Sequence, residues 1–376
     1  MKKINKILIQ SASRAEFYIQ KNLINKLSNH FSITLLIHGD TIKKIDKKEI
    51  LKSFGKNIKI IISKTNYSQS NNPTFVSASF TKQVYFISKN ITKFKPDISM
   101  IFGDRTDALA LAVSSLIHKV PVVHLHGGEV TLGSIDEKIR HSISKISDIH
   151  FVSHNNYKKR LIQLGEINKN IKNFGSLELD RIDKQKFKSK RELKKKLKLK
   201  DENYVLISIN SEINSQQSKM ITKNILKALE FNKDYVKIIS MPNSDPFSDE
   251  VSQEILHYKK KPNFQIFNSL NRYYTDVLKN AKFVIGNSSS IVYVAPFLGV
   301  PSILVGDRQK GRILSKSIIK TGYNLKQIVS SIKKIKGKTN RCKIYFKKDT
   351  MGLITNYLKK INLENFKYKR FIDLKI

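Results

Sequence analysis

The stretch ISMIFGDRTDALALAVSSLIHKVPVVHLHGG, residues 98–128, decides the fold. Its two apolar, β-branched ends, ISMIFGD (98–104) and VPVVHLHGG (120–128), are predicted as strands, and ALALAVSSLIHK (108–119) between them as a buried helix. Both strands lead into Gly, Asp or His, as buried parallel strands do when they emerge into functional loops. The stretch is therefore predicted to be a strand–helix–strand unit of a parallel sheet.

The same alternation of short apolar runs and helical stretches extends along the chain. Further strands are predicted at KILIQ (6–10), ITLLIHG (33–39), HFVSH (150–154), NFGS (173–176), NYVLISIN (203–210), YVKIISMPN (235–243), KFVIGNSSS (282–290) and PSILVGD (301–307). A charged segment without Gly or Pro, residues 180–202, interrupts the pattern and is predicted to be a lysine-rich surface helix.

This pattern predicts an α/β protein of two doubly wound, Rossmann-like domains facing a cleft. The domains are expected to span residues 1–180 and 181–350. Residues 351–376 are expected to form a C-terminal helix and tail that packs back on the first domain. Because open α/β sheets bind ligands at the carboxyl ends of their strands, the polar residues that follow the strands are the candidate site.

Composition bounds the class of protein. The chain has 376 residues, of which 40% are hydrophobic, so it is long enough for two cores and is not of the disordered class. Its one cysteine, Cys342, excludes an internal disulfide framework. No apolar run approaches the roughly 20 residues that a membrane helix needs, and the N-terminal MKKINKILIQ is predicted as a first strand rather than a signal peptide. We therefore expect a cytoplasmic protein with no membrane partner.

The formal net charge of +40 is compatible with nucleic-acid binding. The lysines are, however, scattered among many Ile and Asn residues, and no arginine-rich arm, zinc-finger spacing or aromatic ribonucleoprotein motif is present. This pattern is typical of a solvated lysine surface. We therefore expect an anionic small-molecule substrate and no nucleic-acid partner.

Two polar clusters follow strands of the first domain. SASRAEF (11–17) opens a helix after the first strand, where backbone N–H groups and the side chain of Arg14 are suited to an anion. A capping serine and a surface arginine would account for the same residues. In GDRTDALALA (103–112), Asp104 and Arg105 stand where the predicted strand ISMIFGD (98–104) ends.

HLHGGE (124–129) adds two histidines and a carboxylate at the end of a strand. His124 and His126 are two residues apart on the predicted strand, so they are expected to share a face, as a metal pair would. No third ligand stands at a familiar spacing, and no metal is predicted. The two glycines allow the backbone to approach a ligand closely.

A helix is predicted to follow directly. SIDE (134–137) is a capping-box pattern, which starts a helix running through IRHSISK (139–145). Asp136 and Arg140 are four residues apart on that helix and are therefore able to pair with each other. Such a pair would account for Asp136 without any catalytic role.

In the second domain, GNSSSIVYVAP (286–296) also follows an apolar strand. Ser288, Ser289 and Ser290 supply N–H and O–H donors at a helix start, which suits a diphosphate. Helix capping would explain one serine, not three. PSILVGDRQKGR (301–312) adds Arg308 as a second candidate for binding an anion.

These motifs resemble the hydrolysing UDP-N-acetylglucosamine 2-epimerases. The resemblance extends along essentially the whole chain and is carried by GDRTDALALA, HLHGGEVTLGSIDEKIRHSISKISDIHF (124–151), YKKRLIQLGE (157–166), GNSSS with the following AP and GVPSI, GDRQKGR (306–312), MPNSD (241–245) and YKRFIDLKI (368–376). It implies the two-domain fold of GT-B glycosyltransferases, no cofactor, no obligatory metal, and a homodimer or higher homo-oligomer.

The resemblance also implies a reaction. Members of this family hydrolyse a nucleotide-diphospho-N-acetylhexosamine to the free 2-epimerised sugar and the nucleoside diphosphate, by anti elimination across C1–C2 and hydration of the resulting 2-acetamidoglucal. This chemistry needs a base for the C2 proton, an acid, and donors for the departing diphosphate. The implied catalytic residues are Asp104, His126, Glu129, Asp136 and Arg140, and the nucleotide- or diphosphate-binding residues are Arg14, Asn210, Ser288, Ser289, Ser290 and Arg308.

The chain departs from the family pattern at four of these places. His126 stands where part of the family has glutamate, and histidine is able to act as acid or base near neutral pH. Asn210, in INSEINS (209–215), stands near the place of a family histidine. Val294 replaces a glutamate that resembles a ribose ligand, and Ile291 replaces a glycine. The last three changes concern the nucleotide half and leave the nucleotide, UDP or GDP, and the sugar open.

Four functions remain open on the sequence. The leading one is an epimerase that supplies a nonulosonic acid pathway, of the sialic or legionaminic acid type, for a surface glycan. A catalytically weakened nucleotide-sugar-binding relative is favoured by Asn210 and Val294, while RHSISK (140–145) and the retained carboxylates disfavour a GT-B glycosyltransferase. A polyanion-binding protein is supported by the net charge alone.

Overall fold

The structure is a computed structural model that describes residues 2–39, 41–42, 45–64, 73–132, 134–230, 232–242, 247–366 and 369–373. Residues 243–245 of the predicted MPNSD motif, and residues 368 and 374–376 of the predicted tail motif, lie outside the described residues. The chain divides into two compact units. Unit 1 comprises Met1–Glu129, Asp136–Asp183 and Tyr345–Ile376, and unit 2 comprises Val130–Ile135 and Lys184–Ile344. Within the described ranges, no helix has the length and apolar character needed to cross a membrane.

Each unit is built on a parallel sheet. In the described part of unit 1 the strands are β1 (Lys6–Ser11), β2 (Ser32–Ile37), β3 (Ile58–Ile62), β4 (Ile98–Phe102), β5 (Val122–Leu125), β6 (Ile149–Val152) and β7 (Ile171–Asn173). In unit 2 they are β8 (Tyr204–Ser208), β9 (Val236–Ser240), β10 (Phe264–Phe267), β11 (Val284–Gly286), β12 (Ser302–Val305) and β13 (Ile318–Thr321). The strand orders are β3-β2-β1-β4-β5-β6-β7 and β10-β9-β8-β11-β12-β13.

Helices alternate with these strands along the chain. Those described are α1 (Arg14–Leu27), α2 (Lys47–Lys52), α3 (Pro73–Phe94), α4 (Thr106–Ile117), α5 (Asp136–Ile146), α6 (Asn155–Gln163), α7 (Leu177–Asp183), α8 (Lys190–Leu197), α9 (Ser215–Glu230), α10 (Ser248–Leu256), α11 (Tyr274–Asn280), α12 (Ser289–Phe297), α13 (Leu325–Lys333) and α14 (Thr350–Lys360). Short 3₁₀ turns occur at Asn168–Asn170, Asn271–Tyr273 and Leu363–Phe366.

In each sheet the first strand lies in the interior, and the chain order reverses beside it. Ile7 of β1 is paired with Ile33 of β2 on one side and with Ile98 of β4 on the other. In unit 2, β8 lies between β9 and β11. The switch points between β1 and β4 and between β8 and β11 are the places where open sheets bind ligands. The prediction of two doubly wound, Rossmann-like α/β domains is confirmed.

The interior strands are apolar on both faces because helices cover both faces. Ile9 of β1 packs in one core with Leu23 of α1 and Leu358 of α14. Its neighbour Leu8 points to the opposite face, into a core with Leu111 of α4. Successive side chains of a strand point to opposite faces, so an uninterrupted apolar run is the expected sequence for such a strand.

Three strands, β3, β10 and β13, were not predicted from the sequence. Each forms an edge of its sheet, where one long side of the strand has no neighbour in the sheet. Their runs are interrupted by Lys59 and Lys320, which are exposed, and by Gln265, which is partly buried. Polar and charged side chains are common on edge strands, so the continuous apolar signal of the interior strands is absent there.

The predicted domain boundaries, after residues 180 and 350, fall inside elements of unit 1. Helix α7 belongs to unit 1 over its whole length, and Asp180 Oδ2 accepts a hydrogen bond from Met351 N at 3.0 Å. The chain returns to unit 1 at Tyr345, before α14 begins. The charged segment 180–202 is helical only at the end of α7 and in α8, which begins with a capping box at Ser189.

A short loop of the first predicted domain groups with unit 2. Val130–Ile135 lies between two segments of unit 1 in the sequence, but Leu132 N donates to Lys310 O at 3.2 Å. Gly311 has φ of +91°, and a Cβ there would lie 2.2 Å from Val130 Cγ1. The predicted boundaries therefore miss this loop, because its contacts are distant in sequence.

Candidate active site

Asp104 lies directly after β4, beside the switch point of unit 1. Gly103 before it has φ of +81°, a conformation that favours glycine. The Asp104 carboxylate forms an ion pair with Nη2 of Arg140, whose side chain is 1% exposed. Arg140 Nη1 also donates to Glu129 O at 3.1 Å and to Glu137 Oε2 at 2.9 Å. A buried guanidinium therefore joins the loops after β4 and β5 to the start of α5.

His124, in β5, makes a hydrogen bond to the loop that follows β4. Its Nε2 lies 2.7 Å from Gly103 O and its Nδ1 lies 3.2 Å from Ser144 Oγ. Burial lowers the pKa of His124 to about 3, so the ring is neutral and donates through Nε2. Because both ring nitrogens are bonded to the protein, His124 is not free to bind a metal.

The expectation that His124 and His126 share a face is wrong. β5 ends at Leu125, and His126 lies beyond it with φ of +68°, so the alternation of a strand no longer applies. Across the described ranges, no group of three or more His, Cys, Asp or Glu side chains is arranged to hold a metal ion.

His126 instead forms a pair with Glu129. His126 Nδ1 lies 2.7 Å from Glu129 Oε1, which also accepts from Ser153 Oγ at 3.0 Å, and Glu129 is buried. An ionised carboxylate only accepts, so Nδ1 carries a proton, and in the neutral form of the ring Nε2 would have a free lone pair. His126 Nε2 is buried and has no hydrogen-bond partner among the described residues. Nε2 of His126 is therefore the ring atom of this pair that is able to exchange a proton with a ligand.

Asp136 is the first residue of α5 and is half-buried, at a helix end that favours negative charge. The capping-box pattern placed the helix start one residue earlier. Glu137, expected to close that capping box, contacts Arg140 at 2.9 Å and His141 Nε2 at 3.1 Å. Arg140 forms ion pairs with Asp104 and Glu137.

Arg14 is the first residue of α1 and is half-buried. The backbone N–H groups beside it are used within the chain, because Glu16 Oε2 accepts from Ala12 N at 2.9 Å and from Ser13 N at 3.3 Å. Burial, with a contribution from the charge of Asp107, raises the pKa of Glu16 to about 7. Helix capping therefore explains Ser13 and the N–H groups of Ala12 and Ser13. Within SASRAEF, the Arg14 side chain is the candidate for binding an anion.

Glu178 is a further acidic residue near the site that was not singled out from the sequence. It lies in the first turn of α7, after the end of β7. Burial raises its pKa, while the nearby charges of Arg181 and His126 oppose that shift. The available signal was an acidic residue directly after a predicted strand, in NFGSLE (173–178).

In unit 2 the three serines at the start of α12 have different environments. Ser288 is the N-cap and accepts from Ser290 N at 3.4 Å. Ser290 is buried, and its hydroxyl lies 2.6 Å from Tyr274 Oη and 3.1 Å from Ser288 Oγ. Ser289 is exposed. The N–H groups of Ser290 and Ile291 are hydrogen-bonded to Ser288, and the Ser290 hydroxyl is bonded inside the unit. The exposed Ser289 is therefore the residue at this helix start that is accessible to an anion.

Asn287 joins the two loops at the switch point of unit 2. Its side chain accepts from Asn210 N at 2.7 Å and donates to Asn210 O at 2.8 Å and Glu212 Oε1 at 2.9 Å. Asn287 O accepts from Gln309 Nε2 at 2.9 Å. Burial raises the pKa of Glu212, against the hydrogen bond from Asn287. Asn287, Glu212 and Gln309 were not singled out from the sequence, although GNSSS contains the first of them.

Arg308 and Val294 complete the predicted nucleotide half. Arg308 is half-buried, and its Nη1 lies 3.5 Å from Ser211 O. Val294 is 1% exposed and Ile291 is fully buried, so both pack inside unit 2. This face of α12 therefore offers no acceptor for a ribose hydroxyl.

Unit 1 thus brings buried carboxylates, a histidine and an arginine to the carboxyl edge of a parallel sheet. Unit 2 has an exposed serine, Ser289, at a helix start at the equivalent edge of its own sheet. Buried acid–base groups at these positions define a two-domain α/β enzyme.

Comparison with known proteins identifies the family to which the chain belongs. The sequence pattern of one protein family, described as UDP-N-acetylglucosamine 2-epimerase, matches residues 27–359. The chain is 36% identical to the GDP/UDP-N,N'-diacetylbacillosamine 2-epimerase (hydrolyzing) of Campylobacter jejuni, over 98% of this chain and 99% of that protein. It is 35% identical to the UDP-N-acetylglucosamine 2-epimerase of Neisseria meningitidis, over 88% of this chain and 87% of that protein.

A solved structure supports the same fold. The chain is similar to the crystal structure of UDP-GlcNAc 2-epimerase from Neisseria meningitidis bound to UDP-GlcNAc, with a TM-score of 0.79 and 17% identity, over 95% of this chain and 100% of that chain. The protein belongs to the UDP-N-acetylglucosamine 2-epimerase family and is an enzyme of that type. The resemblance drawn from the sequence motifs is confirmed.

Proposed function

We propose that this enzyme hydrolyses a nucleotide-diphospho-N-acetylglucosamine, or a diacetamido relative of it, to a free manno-configured sugar and the nucleoside diphosphate. The relative from Campylobacter jejuni is named for such a reaction on GDP/UDP-N,N'-diacetylbacillosamine. The observation that carries the proposal is the cluster in unit 1, where Asp104 is held by buried Arg140 and His126 is held by buried Glu129. These groups supply a fixed negative charge and a separate acid–base group.

The first half of the reaction is an elimination. A base removes the C2 proton, the C1–O bond breaks, and the electron pair leaves with the diphosphate, giving the 2-acetamidoglucal. We assign the proton transfer at C2 to His126 Nε2, because Glu129 orients the ring and stabilises the imidazolium that forms. Since Nε2 is buried in the free protein, neighbouring side chains must move for substrate to reach it.

The second half adds water across the C1–C2 double bond. The hydroxyl goes to C1, and C2 receives a proton on the face opposite to the one that lost it. This requires a second acid–base group, and Asp104 and Asp136 are the carboxylates assigned to it. Asp104 is positioned by Arg140, and Asp136 by the first turn of α5.

The leaving diphosphate needs donors that stabilise its negative charge. We assign this role to Ser288 and Ser289 at the start of α12, and to Arg308, in unit 2. Arg14 of unit 1 is the further cationic candidate. Ser290 and Asn210 support this site through Tyr274 and Asn287.

The test is a product assay in deuterated water. UDP- and GDP-linked N-acetylglucosamine and the corresponding diacetamido-trideoxy sugars are incubated with purified protein, and the free sugar is followed by NMR. Release of nucleoside diphosphate with deuterium at C2 of a manno-configured product supports the proposal and identifies the nucleotide. Binding without release across the panel would overturn it in favour of a nucleotide-sugar-binding protein.

The product of such a reaction suits the synthesis of a nine-carbon sugar acid. We propose a place in nonulosonic acid synthesis, of the sialic or legionaminic acid type, in the cytoplasm and as a homodimer or larger homo-oligomer. The reason is the product sugar itself, because a 2-acetamido-mannose core accepts a three-carbon unit at its free C1.

Light scattering of the purified protein tests the proposed oligomer. A monomer at micromolar concentration would contradict that part of the proposal.

A further inference from the structure

The described end of the C-terminal tail, residues 369–373, lies against the far end of α5. Lys369 Nζ donates to Lys145 O at 2.6 Å and to Ser147 O at 2.5 Å, and lies 3.4 Å from Ser144 O. These carbonyls belong to the last turn of α5 and the residue after it, where a helix leaves its C=O groups without partners in the helix. The ammonium of Lys369 therefore caps the negative end of α5.

A buried carboxylate balances the charge of this cap. Glu166 Oε2 lies 2.7 Å from Lys369 Nζ and 3.0 Å from His150 Nε2, and Glu166 Oε1 lies 3.1 Å from Lys145 Nζ. The Glu166 side chain is 3% exposed. An ion pair in such a setting is strongly oriented, because each partner would be left desolvated without the other.

Two neighbouring residues of the tail fix the position of Lys369. Ile372 N donates to Gly165 O at 3.2 Å. The ring of Phe371 packs on Gly165, where a Cβ would come within 2.8 Å of it, and lies 4.2 Å from Lys145 Nζ. Gly165 also has φ of +78°, so both its backbone conformation and the space beside it suit glycine. The tail is therefore held by a backbone hydrogen bond and by the contact of one side of the Phe371 ring, which is otherwise 63% exposed, in addition to the charged contacts.

We infer that Lys369 is a positioning residue for the reaction, acting through α5. This helix carries Asp136 at its first residue and the buried Arg140 in its middle, and the cap holds its last turn. The inference rests on the proposed function. Small displacements of catalytic groups lower the rate strongly, so a helix held at both ends keeps the guanidinium on Asp104 and the carboxylate in place. The lysine touches no reacting atom, and its effect belongs to the catalytic step rather than to substrate binding.

The test uses three full-length variants. Lys369→Met removes the ammonium and keeps much of the apolar stem, Lys369→Arg keeps a cation, and Lys360→Met removes an exposed lysine at the end of α14 as the matched control. Each is measured by nucleotide release, for kcat and KM separately, and by hydrogen exchange of the backbone amides of residues 139–148. Hydrogen exchange reports on α5 whether or not the protein turns over substrate.

Lys369→Met is expected to lower kcat about five- to thirtyfold with KM changed less than about twofold, and to speed exchange in residues 143–147 by a similar factor. Lys369→Arg should recover most of both effects, and Lys360→Met should behave as the unchanged protein. Faster exchange with unchanged kcat would overturn the positioning role, and unchanged exchange would overturn the cap itself. If the unchanged protein releases no nucleotide, the proposed function fails, whereas the cap is still decided by the exchange data.

Discussion

The ion pair between Asp104 and Arg140 is the residue-scale feature on which the proposed chemistry of unit 1 depends most. Arg140 is buried, so its charge has to be neutralised within the protein. Asp104→Asn removes one of its anionic partners and the proposed catalytic charge. We expect a loss of about 10²- to 10⁴-fold in kcat, measured by nucleotide release.

We expect the Asp104→Asn variant to remain folded, because Glu137 still pairs with Arg140. Circular dichroism and a thermal scan distinguish a loss of activity from unfolding. Asp136→Asn is expected to abolish turnover in the same way, and Asp201→Asn, an exposed aspartate before β8, is the matched control. Near-normal turnover in either catalytic variant would remove that carboxylate from the mechanism.

The pairing of His126 with Glu129 leads to a second residue-scale prediction. Part of the family has glutamate at the place of His126, so His126→Glu retains an acid–base group whereas His126→Ala does not. We expect His126→Ala to lose about 10²- to 10⁴-fold in kcat/KM. His126→Glu should keep measurable activity, with the acid limb of its pH profile moved down by about two pH units, because carboxylates ordinarily titrate that far below imidazoles.

A pH profile of kcat/KM for the two variants and the unchanged protein decides this. An acid limb that stays in place in His126→Glu would show that another group is the titrating base. Glu129→Gln serves as the companion variant, because it keeps the shape of the side chain that orients the ring and removes its charge.

At the scale of elements, Asn287 connects the loop after β8 with the start of α12. Its side chain makes hydrogen bonds to Asn210 and Glu212 and is fully buried. Asn287→Leu leaves these groups without partners, so the free energy of unfolding should fall by about 2–4 kcal/mol. Urea denaturation measures the loss, and calorimetric titration with UDP and GDP should show weaker binding in folded protein. Nucleotide affinity equal to that of the unchanged protein would exclude this loop pair from the nucleotide site.

A second prediction at this scale concerns acid and the end of α5. Burial raises the pKa of Glu166, but hydrogen bonds from His150 and Lys369 and the charge of Lys369 outweigh it, so the pKa lies below its usual value. A lowered pKa means that the stabilisation is complete above the unfolded value of about 4.3 and is lost as pH falls through the folded value.

Glu166→Gln should therefore lower the free energy of unfolding by about 1–3 kcal/mol at pH 7, and the difference should shrink below about pH 4. Urea denaturation of both proteins between pH 3.5 and pH 7 measures it, with Glu202→Gln, in the loop before β8, as the control. A difference independent of pH would mean that packing, rather than charge, is what Glu166 contributes.

The elements also show what pattern alone predicts. Interior strands such as β4 and β8 are apolar on both faces and were predicted, whereas the edge strands β3, β10 and β13 were missed because polar residues interrupt them. Near the site, the position of Asp104 after a strand followed from the sequence. The spacing of four residues indicated that Asp136 and Arg140 are able to pair, but nothing in the sequence indicated the ion pair of Arg140 with Asp104, which is 36 residues away. Contacts of that kind depend on which strands become neighbours, and local spacing carries no information about them.

For the molecule as a whole, the net charge of +40 leads to a prediction about salt. A protein that binds a polyanion through six to ten phosphate contacts loses about 10³- to 10⁵-fold in affinity between 50 and 200 mM salt. A nucleoside diphosphate carries few charges, so its affinity should fall by about tenfold or less over that range. Titration with UDP, GDP and a DNA duplex at both salt concentrations measures this. Tight, salt-sensitive duplex binding together with no nucleotide binding would favour the polyanion-binding alternative.

The division of the chain also has a consequence for its synthesis. Unit 1 starts at the N-terminus but takes its last segment, with α14 and Lys369, from residues after 344, whereas Lys184–Ile344 of unit 2 is continuous. On the ribosome, unit 2 is therefore able to fold while unit 1 still lacks the helix that covers Ile9 and Leu23. Until that helix emerges, unit 1 exposes apolar surface, and chaperones that bind such surfaces are expected to act on it during this interval. The contacts of Lys369 with α5 are then among the last to form, so catalytic competence should follow, rather than accompany, the folding of unit 2.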